Sequence, residues 1–271
     1  MKRPILVSLL IITTFSLFAQ DSTRSSRRTS KEEKKEAHRQ RINAMIKQEE
    51  EGALIYSKQS IFGIQLRTNG YGIFYEIGKL KTRRKTTVYA AELTEIKDAK
   101  EEKNPPNGFF SFNNPYVFGK INNFYQLKLG FGQQYLIGQK GNKNGVAVTA
   151  VYHGGLSLGL LRPYYLDVED TIGNRTIKFS PEDSSLFLGG RGRILGSAGI
   201  GKGWGEMKVR PGAYAKGAIR FDYGRYNELV SGIEIGISID VYSEKIPILL
   251  LAKQRQIFFQ GHIAFLFGKR K

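Results

Sequence analysis

Residues 257–271, IFFQGHIAFLFGKRK, decide how the rest of the chain is read. In an extended strand, successive side chains point to opposite faces. Phe259, Gly261, Ile263, Phe265 and Phe267 then share one face, and Gln260, His262, Ala264 and Leu266 share the other. The first face is apolar and aromatic; the second begins polar, and a basic tail follows. A soluble sheet would bury its apolar face under a second layer. If the other strands repeat this pattern and nothing remains to cover them, the apolar faces must meet lipid.

The pattern does repeat upstream. In 229–241, Ile233, Ile235, Ile237, Ile239 and Val241 alternate with Glu234, Ser238 and Asp240. In 211–223, Ala213, Ala215, Ile219 and Phe221 oppose Tyr214, Lys216, Arg220 and Asp222. In 146–161, Val148, Tyr152, Leu156 and Leu158 oppose Thr149, His153 and Ser157. In 123–133, Tyr125, Leu127, Leu129 and Phe131 oppose Gln126 and Lys128. In 86–96, Tyr89, Ala91 and Leu93 oppose Glu92. Two further strands meet at Asn69-Gly70, a strong hairpin signal that places Thr68 opposite Tyr71. Arg67 and Glu76 lie on their polar side.

About eight strands of membrane-crossing length result, with connections that alternate between short and long. The short turns fall near Thr82, Gly138 and Gly224, and the long loops near Asn104, at 162–210 and at 244–256. The expected fold is all-β: a closed antiparallel transmembrane β-barrel of about eight strands, at 60–271, with long extracellular loops. Both mature termini would be periplasmic. A soluble β-sandwich or lipocalin-like barrel would need a covering layer that the chain does not supply.

Residues 1–20 read as a signal peptide: Lys2 and Arg3, an apolar run at 5–18, then a switch to polar sequence after Gln20. Residues 21–59 read as a polar periplasmic segment with a helix that starts near Ser30. Its only apolar stripe is Ile42, Met45 and Ile46, suited at most to docking a partner. The chain has no cysteine, so disulfides and cysteine-based metal sites are excluded. Its net charge of +18 suits anionic surfaces such as outer-membrane lipids and lipopolysaccharide. The charges are spread over turns and loops without a recognition motif, so no nucleic-acid partner is expected.

Strand sidedness sorts the charges. Arg67, Glu76, Glu92, Lys128, Lys216, Arg220, Asp222, Glu234 and Asp240 all face the interior, with His153 and His262. Side chains fill a small barrel. Four bases and five acids should therefore pair there, because a buried unpaired charge is costly. His153 and Ser157 share a side, which admits a lipid-modifying enzyme, but interior histidines more often fill a polar core by hydrogen bonding. GSAGIGKG at 196–203 resembles a phosphate-binding loop, yet Gly203 stands where serine or threonine is required and no strand-to-helix context surrounds it. No cofactor, metal site or catalytic residue is assigned.

Several stretches carry a family resemblance: Phe18-Ala19-Gln20, Thr68-Asn69-Gly70, GLSLGLLRPYYL at 155–166, RFDYGRYNELVSGIE at 220–234, and the closing 265–271. Together they resemble an uncharacterised family of outer-membrane β-barrels from Bacteroidota-type bacteria. The resemblance implies an outer-membrane location and no known enzymatic activity or ligand. It also implies that the aromatic C-terminal residues, Phe265 and Phe267, serve as the signal read by the barrel-assembly machinery. The function expected is a structural or accessory subunit of an outer-membrane assembly or secretion machine, with a protein partner in that membrane. The alternatives are a small-solute or ion pore, or a barrel enzyme that modifies lipid or lipopolysaccharide.

Overall fold

The computed structural model describes residues 34–40, 42–43, 56–105, 114–142, 144–171, 173–190, 192–224 and 228–271. The segment read as a signal peptide, Ser30, Met45, Ile46 and Arg225 lie outside the described residues. The chain divides into two compact units, Met1–Ala53 and Leu54–Lys271. In the first, residues 34–40 and 42–43 are helical, with side chains exposed to solvent. The polar lysine, glutamate and alanine composition favours helix there without offering a core-forming face.

The second unit is a closed eight-stranded antiparallel barrel. Its strands are β1 (Lys58–Arg67), β2 (Gly70–Thr82), β3 (Lys85–Ile96), β6 (Asn122–Gly138), β7 (Ala147–Pro163), β11 (Lys208–Asp222), β12 (Leu229–Ile246) and β13 (Arg255–Arg270). Each pairs with its neighbours in chain order, and β1 closes on β13 through a nine-residue register from Gln59↔Arg270 to Arg67↔His262. Closure is what lets the structure cross a bilayer, since every strand's backbone groups find partners in the ring and no edge faces lipid. Exposed apolar side chains stand on the outer face of all eight strands, among them Ile64, Ile73, Leu93, Leu129, Leu156, Ile219, Ile235 and Ile263. The outward charges sit near strand ends, as at Lys79, Glu95, Lys245, Arg255 and Lys269. Register places Phe267, Phe62 and Tyr75 side by side across three strands, and Tyr89 beside Phe131. The barrel is a transmembrane one.

Five short strands complete the chain. β4 (Lys103–Asn104) pairs with β5 (Tyr116–Val117), and β8 (Tyr165–Asp170) pairs with β9 (Gly173–Lys178) and with β10 (Arg193–Ser197). All lie at the end opposite the barrel's chain termini, where the long connections gather.

Three local expectations need correction. The first hairpin turns on Thr68-Asn69, with Arg67 opposite Gly70 and Leu66 opposite Tyr71. Tyr71 thus pairs two residues earlier in β1 than expected, and Gly70 lies in the sheet, where its absent Cβ matters: one would lie 1.9 Å from the Glu95 carbonyl oxygen. The apolar faces still coincide, because the shift preserves parity. The basic end is not a tail: β13 runs to Arg270, and Lys271 exchanges backbone hydrogen bonds with Lys58. The 162–210 stretch, read as one long loop, contains β8, β9 and, in its glycine-rich part, β10. That strand is held by a small core of Leu166, Val168, Ile177, Leu186, Phe187 and Ile194, so tertiary packing overrides local propensity.

Candidate functional site

The barrel lumen holds a connected polar network. Arg67, Glu76, Glu92, Lys128, His153, Lys216, Arg220, Asp222, Glu234, Asp240 and His262 are all buried. Alternation on each strand turns them inward, and barrel curvature brings non-neighbouring strands within reach of one another. At the centre, Arg220 donates from Nη2 to Glu76 at 2.7 Å and to Glu234 at 2.6 Å, and from Nε to Glu234 at 3.0 Å. Lys216 Nζ lies 2.9 Å from Glu92 and 3.0 Å from Glu234. His262 Nε2 lies 3.1 Å from the second Glu234 oxygen. Glu234 thus serves three cationic or imidazole groups at once.

Around this hub, Lys128 pairs with Asp240 at 2.5 Å and sits over the Tyr214 ring at 5.1 Å. His153 Nδ1 meets the Tyr214 hydroxyl at 3.1 Å, while its Nε2 is 3.8 Å from Glu92. Arg67 donates to Ser238 and, at 3.4 Å, to Gln126. Asp222 stands apart near the termini end, bound to Arg270 at 2.5 Å with Lys140 3.7 Å away. In a low-dielectric lumen such pairing is what makes these charges tolerable. Arg270 and Lys140 escaped the sequence reading. The signal for Arg270 was present: carrying the even-numbered inward phase of Ala264 and Leu266 to the chain end turns it into the lumen.

Aromatic rings fill what the charges leave. Glycines on facing strands make room for them: a Cβ at Gly130 would lie 2.1 Å from the Tyr214 hydroxyl, and one at Gly63 would lie 2.3 Å from the Phe74 ring. Ser157 hydrogen-bonds the Tyr242 hydroxyl at 2.8 Å. The Ser157 and His153 side chains therefore use different tyrosines. Two apolar clusters bracket the charges. Ile61, Phe74, Val230, Ala264 and Leu266 pack toward the termini end. Ile96, Val117, Phe124, Leu161, Tyr242, Ile246, Ile248, Leu249 and Phe258 pack at the loop end, where residues of two loops join those of the barrel.

Outside this cap, the loops enclose a cleft of about 510 Å³. Tyr71, Lys97, Lys120, Tyr125, Arg162 and Ile200 help to line it. Arg162 is buried beside the stacked rings of Tyr125 and Trp204, 5.7 and 4.8 Å from their centroids. Its Nη1 donates to the Ile200 carbonyl at 2.5 Å, and its Nε has no partner among the described residues. Two acids line the cleft as well, each bonded to a neighbour within it: Glu95 accepts from the Tyr71 hydroxyl at 2.5 Å, and Glu101 holds Lys120 at 2.7 Å. Further out, Glu206 ties Tyr165 of β8 to Lys178 of β9, and the Lys178 ammonium keeps the Glu206 carboxyl below its ordinary range. The GSAGIGKG stretch lies beside the cleft. It leads into a three-residue 3-10 turn, Trp204–Glu206, and Lys202 donates to Thr176 at 3.0 Å. Phe265 and Phe267 stand exposed on the outer face of β13.

No protein-family model matches the chain, and no curated protein does. Among solved structures, the chain is similar to Ail, the attachment invasion locus protein of Yersinia pestis, in complex with the heparin analogue sucrose octasulfate. That likeness has 10% identity and a TM-score of 0.37, over 80% of this chain and 100% of that one. Neisserial surface protein A is similar at 8% identity and TM-score 0.36, over 79% and 96%. The N-terminal β-barrel domain of Pseudomonas aeruginosa OprF is similar at 11% identity and TM-score 0.32, over 78% and 98%. Likenesses at this level bear on neither ligand nor role.

Proposed function

We propose that this chain is a non-enzymatic outer-membrane barrel, sealed along its axis, that serves as an accessory subunit of a larger outer-membrane assembly. One observation carries the reading: the lumen is filled by mutually paired charges between two apolar clusters. Such an interior suits a scaffold better than a solute path, which needs continuous water. The hydroxyl-imidazole contact that a serine-based lipid enzyme requires is replaced by two separate tyrosine bonds.

In this reading, residues 1–20 direct export and are removed. Residues 21–59 extend into the periplasm, and both mature termini lie on that side. The assembly machinery reads Phe265 and Phe267 on the closing strand, and lipids and lipopolysaccharide surround the belt. A protein partner within the membrane is met through the outer surface or the periplasmic segment. Solubilising envelopes in mild detergent and isolating the tagged chain tests this. A stoichiometric outer-membrane partner is expected, and a chain recovered alone contradicts the accessory role.

A second reading, capture of an external anion, is favoured by Arg162, a buried guanidinium that lines the cleft and pairs with no carboxylate among the described residues, while the cleft's Glu95 and Glu101 are bonded to Tyr71 and Lys120. Calorimetry with a hexose phosphate distinguishes it: binding that Arg162→Gln abolishes supports capture, and no heat of binding removes it.

A further inference from the structure

The positive charge of the barrel is unevenly placed. At the termini end, Lys58, Lys79, Lys81, Arg83, Arg84, Lys85, Lys269 and Lys271 are all exposed. The only exposed acid at that end among the described residues is Glu228. The eight cations occupy β13, β1, β2, β3 and the β2–β3 turn, which are consecutive in the ring, so they form one continuous arc. The other half of the same rim shows no exposed cation among the described residues; it exposes Ile137, Phe221, Tyr223 and Leu229 beside Asn142, Asn144 and Glu228. The loop end, by contrast, mixes its bases with acids, as in Lys120–Glu101, Arg175–Asp170 and Arg210–Glu244.

Two features show that the arc is not balanced from within. Lys58 and Lys79 are directly opposite in the β1–β2 register, and like charges so placed repel. Among the described residues, none of the eight cations meets a carboxylate in an ion pair, whereas the nearby buried Arg270 and Lys140 both face Asp222. An external anion would relieve the repulsion.

The direction of the side chains selects which anion. Lys58, Lys79, Lys85 and Lys269 continue the outward phase of their strands, Lys81 is exposed at the register shift that ends β2, and the outward residues next to them include Ile77 and Phe267 of the apolar belt. Their ammonium groups therefore sit where lipid tails give way to headgroups, with aliphatic stems lying along the apolar surface. A soluble acidic protein could reach Arg83, Arg84 and Lys271 from below, but it would meet the outward lysines only through the lipid layer. We infer that this arc is a binding site for anionic phospholipid headgroups, which selects lipids of net negative charge in the leaflet at the termini end and fixes one side of the barrel against them. The inference needs only the transmembrane barrel; the accessory role can fail without affecting it.

The test is lipid selectivity of the full chain in vesicles of phosphatidylcholine containing spin-labelled phosphatidylglycerol or spin-labelled phosphatidylcholine. The motionally restricted spectrum reports lipid at the protein surface. Phosphatidylglycerol should be preferred roughly fivefold, the equivalent of one cation at a charged surface. Raising salt from about 0.1 to about 1 M, which shortens the Debye length from about 10 to about 3 Å, should erase most of that preference. The variant K58Q/K79Q/K81Q/K85Q/K269Q should lose it, whereas K245Q/K253Q, exposed at the loop end, should keep it. Free inorganic phosphate at millimolar concentration should not compete, which separates a lipid headgroup from a soluble anion.

Equal restriction of the two lipids by the wild-type chain overturns the inference, as does full selectivity in the five-lysine variant or at high salt. The salt titration uses the wild-type chain, so the test stands even if the five-lysine variant fails to insert.

Discussion

Glu234 and Ile235 are adjacent on β12 and face opposite solvents. Ile235→Arg places a charge on the lipid face, at about 2–4 kcal/mol if the site lies near the bilayer midplane. From alternation alone, Glu234→Gln reads as the milder change. The network makes it comparable: Glu234 is fully buried and holds Arg220, Lys216 and His262. Removing its charge leaves cations short of a partner, at about 3–5 kcal/mol. Urea titration of the inserted barrel in detergent micelles should show both variants destabilised by similar amounts; a silent Glu234→Gln would mean that the lumen hydrates freely. Sidedness was legible residue by residue, because a period of two is a local property. Partners were not: Lys216 and Glu92 lie on strands that are not neighbours, and only ring closure brings them together.

At the scale of elements, β13 does more than end the chain. It closes on β1, and Arg270 supplies the partner of Asp222. Deleting residues 265–271 would leave part of β1 and β12 unpaired toward lipid, an arrangement the bilayer does not tolerate. The truncated chain should fail to insert and be degraded, whereas Arg270→Ala alone should insert but melt earlier. Heat-dependent gel mobility of the membrane fraction distinguishes the two, and a heat shift in the truncated chain would place the closing strand elsewhere.

The loop sheet was the least legible element. Its strands are five or six residues long, interrupted by glycines, and held by Leu166, Val168, Phe187 and Ile194 from separated segments. Its outer face should respond to pH through Glu206. The Glu206 carboxyl has a lower pKa in the folded chain than in the unfolded one, so its contacts contribute above the ordinary carboxylate pKa and are lost as pH falls through the folded value. Protection factors of the amides around residues 165–178 and 204–206, corrected for the slower intrinsic exchange in acid, should therefore fall as pH is lowered. Unchanged protection factors would assign the stability of this face to the apolar core alone.

For the whole molecule, the two-unit organisation predicts that deleting residues 21–52 leaves barrel insertion intact, because those residues belong to the other compact unit. Normal heat-shifted mobility in the outer-membrane fraction is the expected result, and loss of the barrel would show that the segment is needed for folding. The central claim is that the barrel is sealed by its own side chains. Planar-bilayer recording of the purified full chain tests it most directly. The account predicts no steady conductance above the bare bilayer; stable, ion-selective channels whose selectivity changes with Lys216→Ala would contradict it.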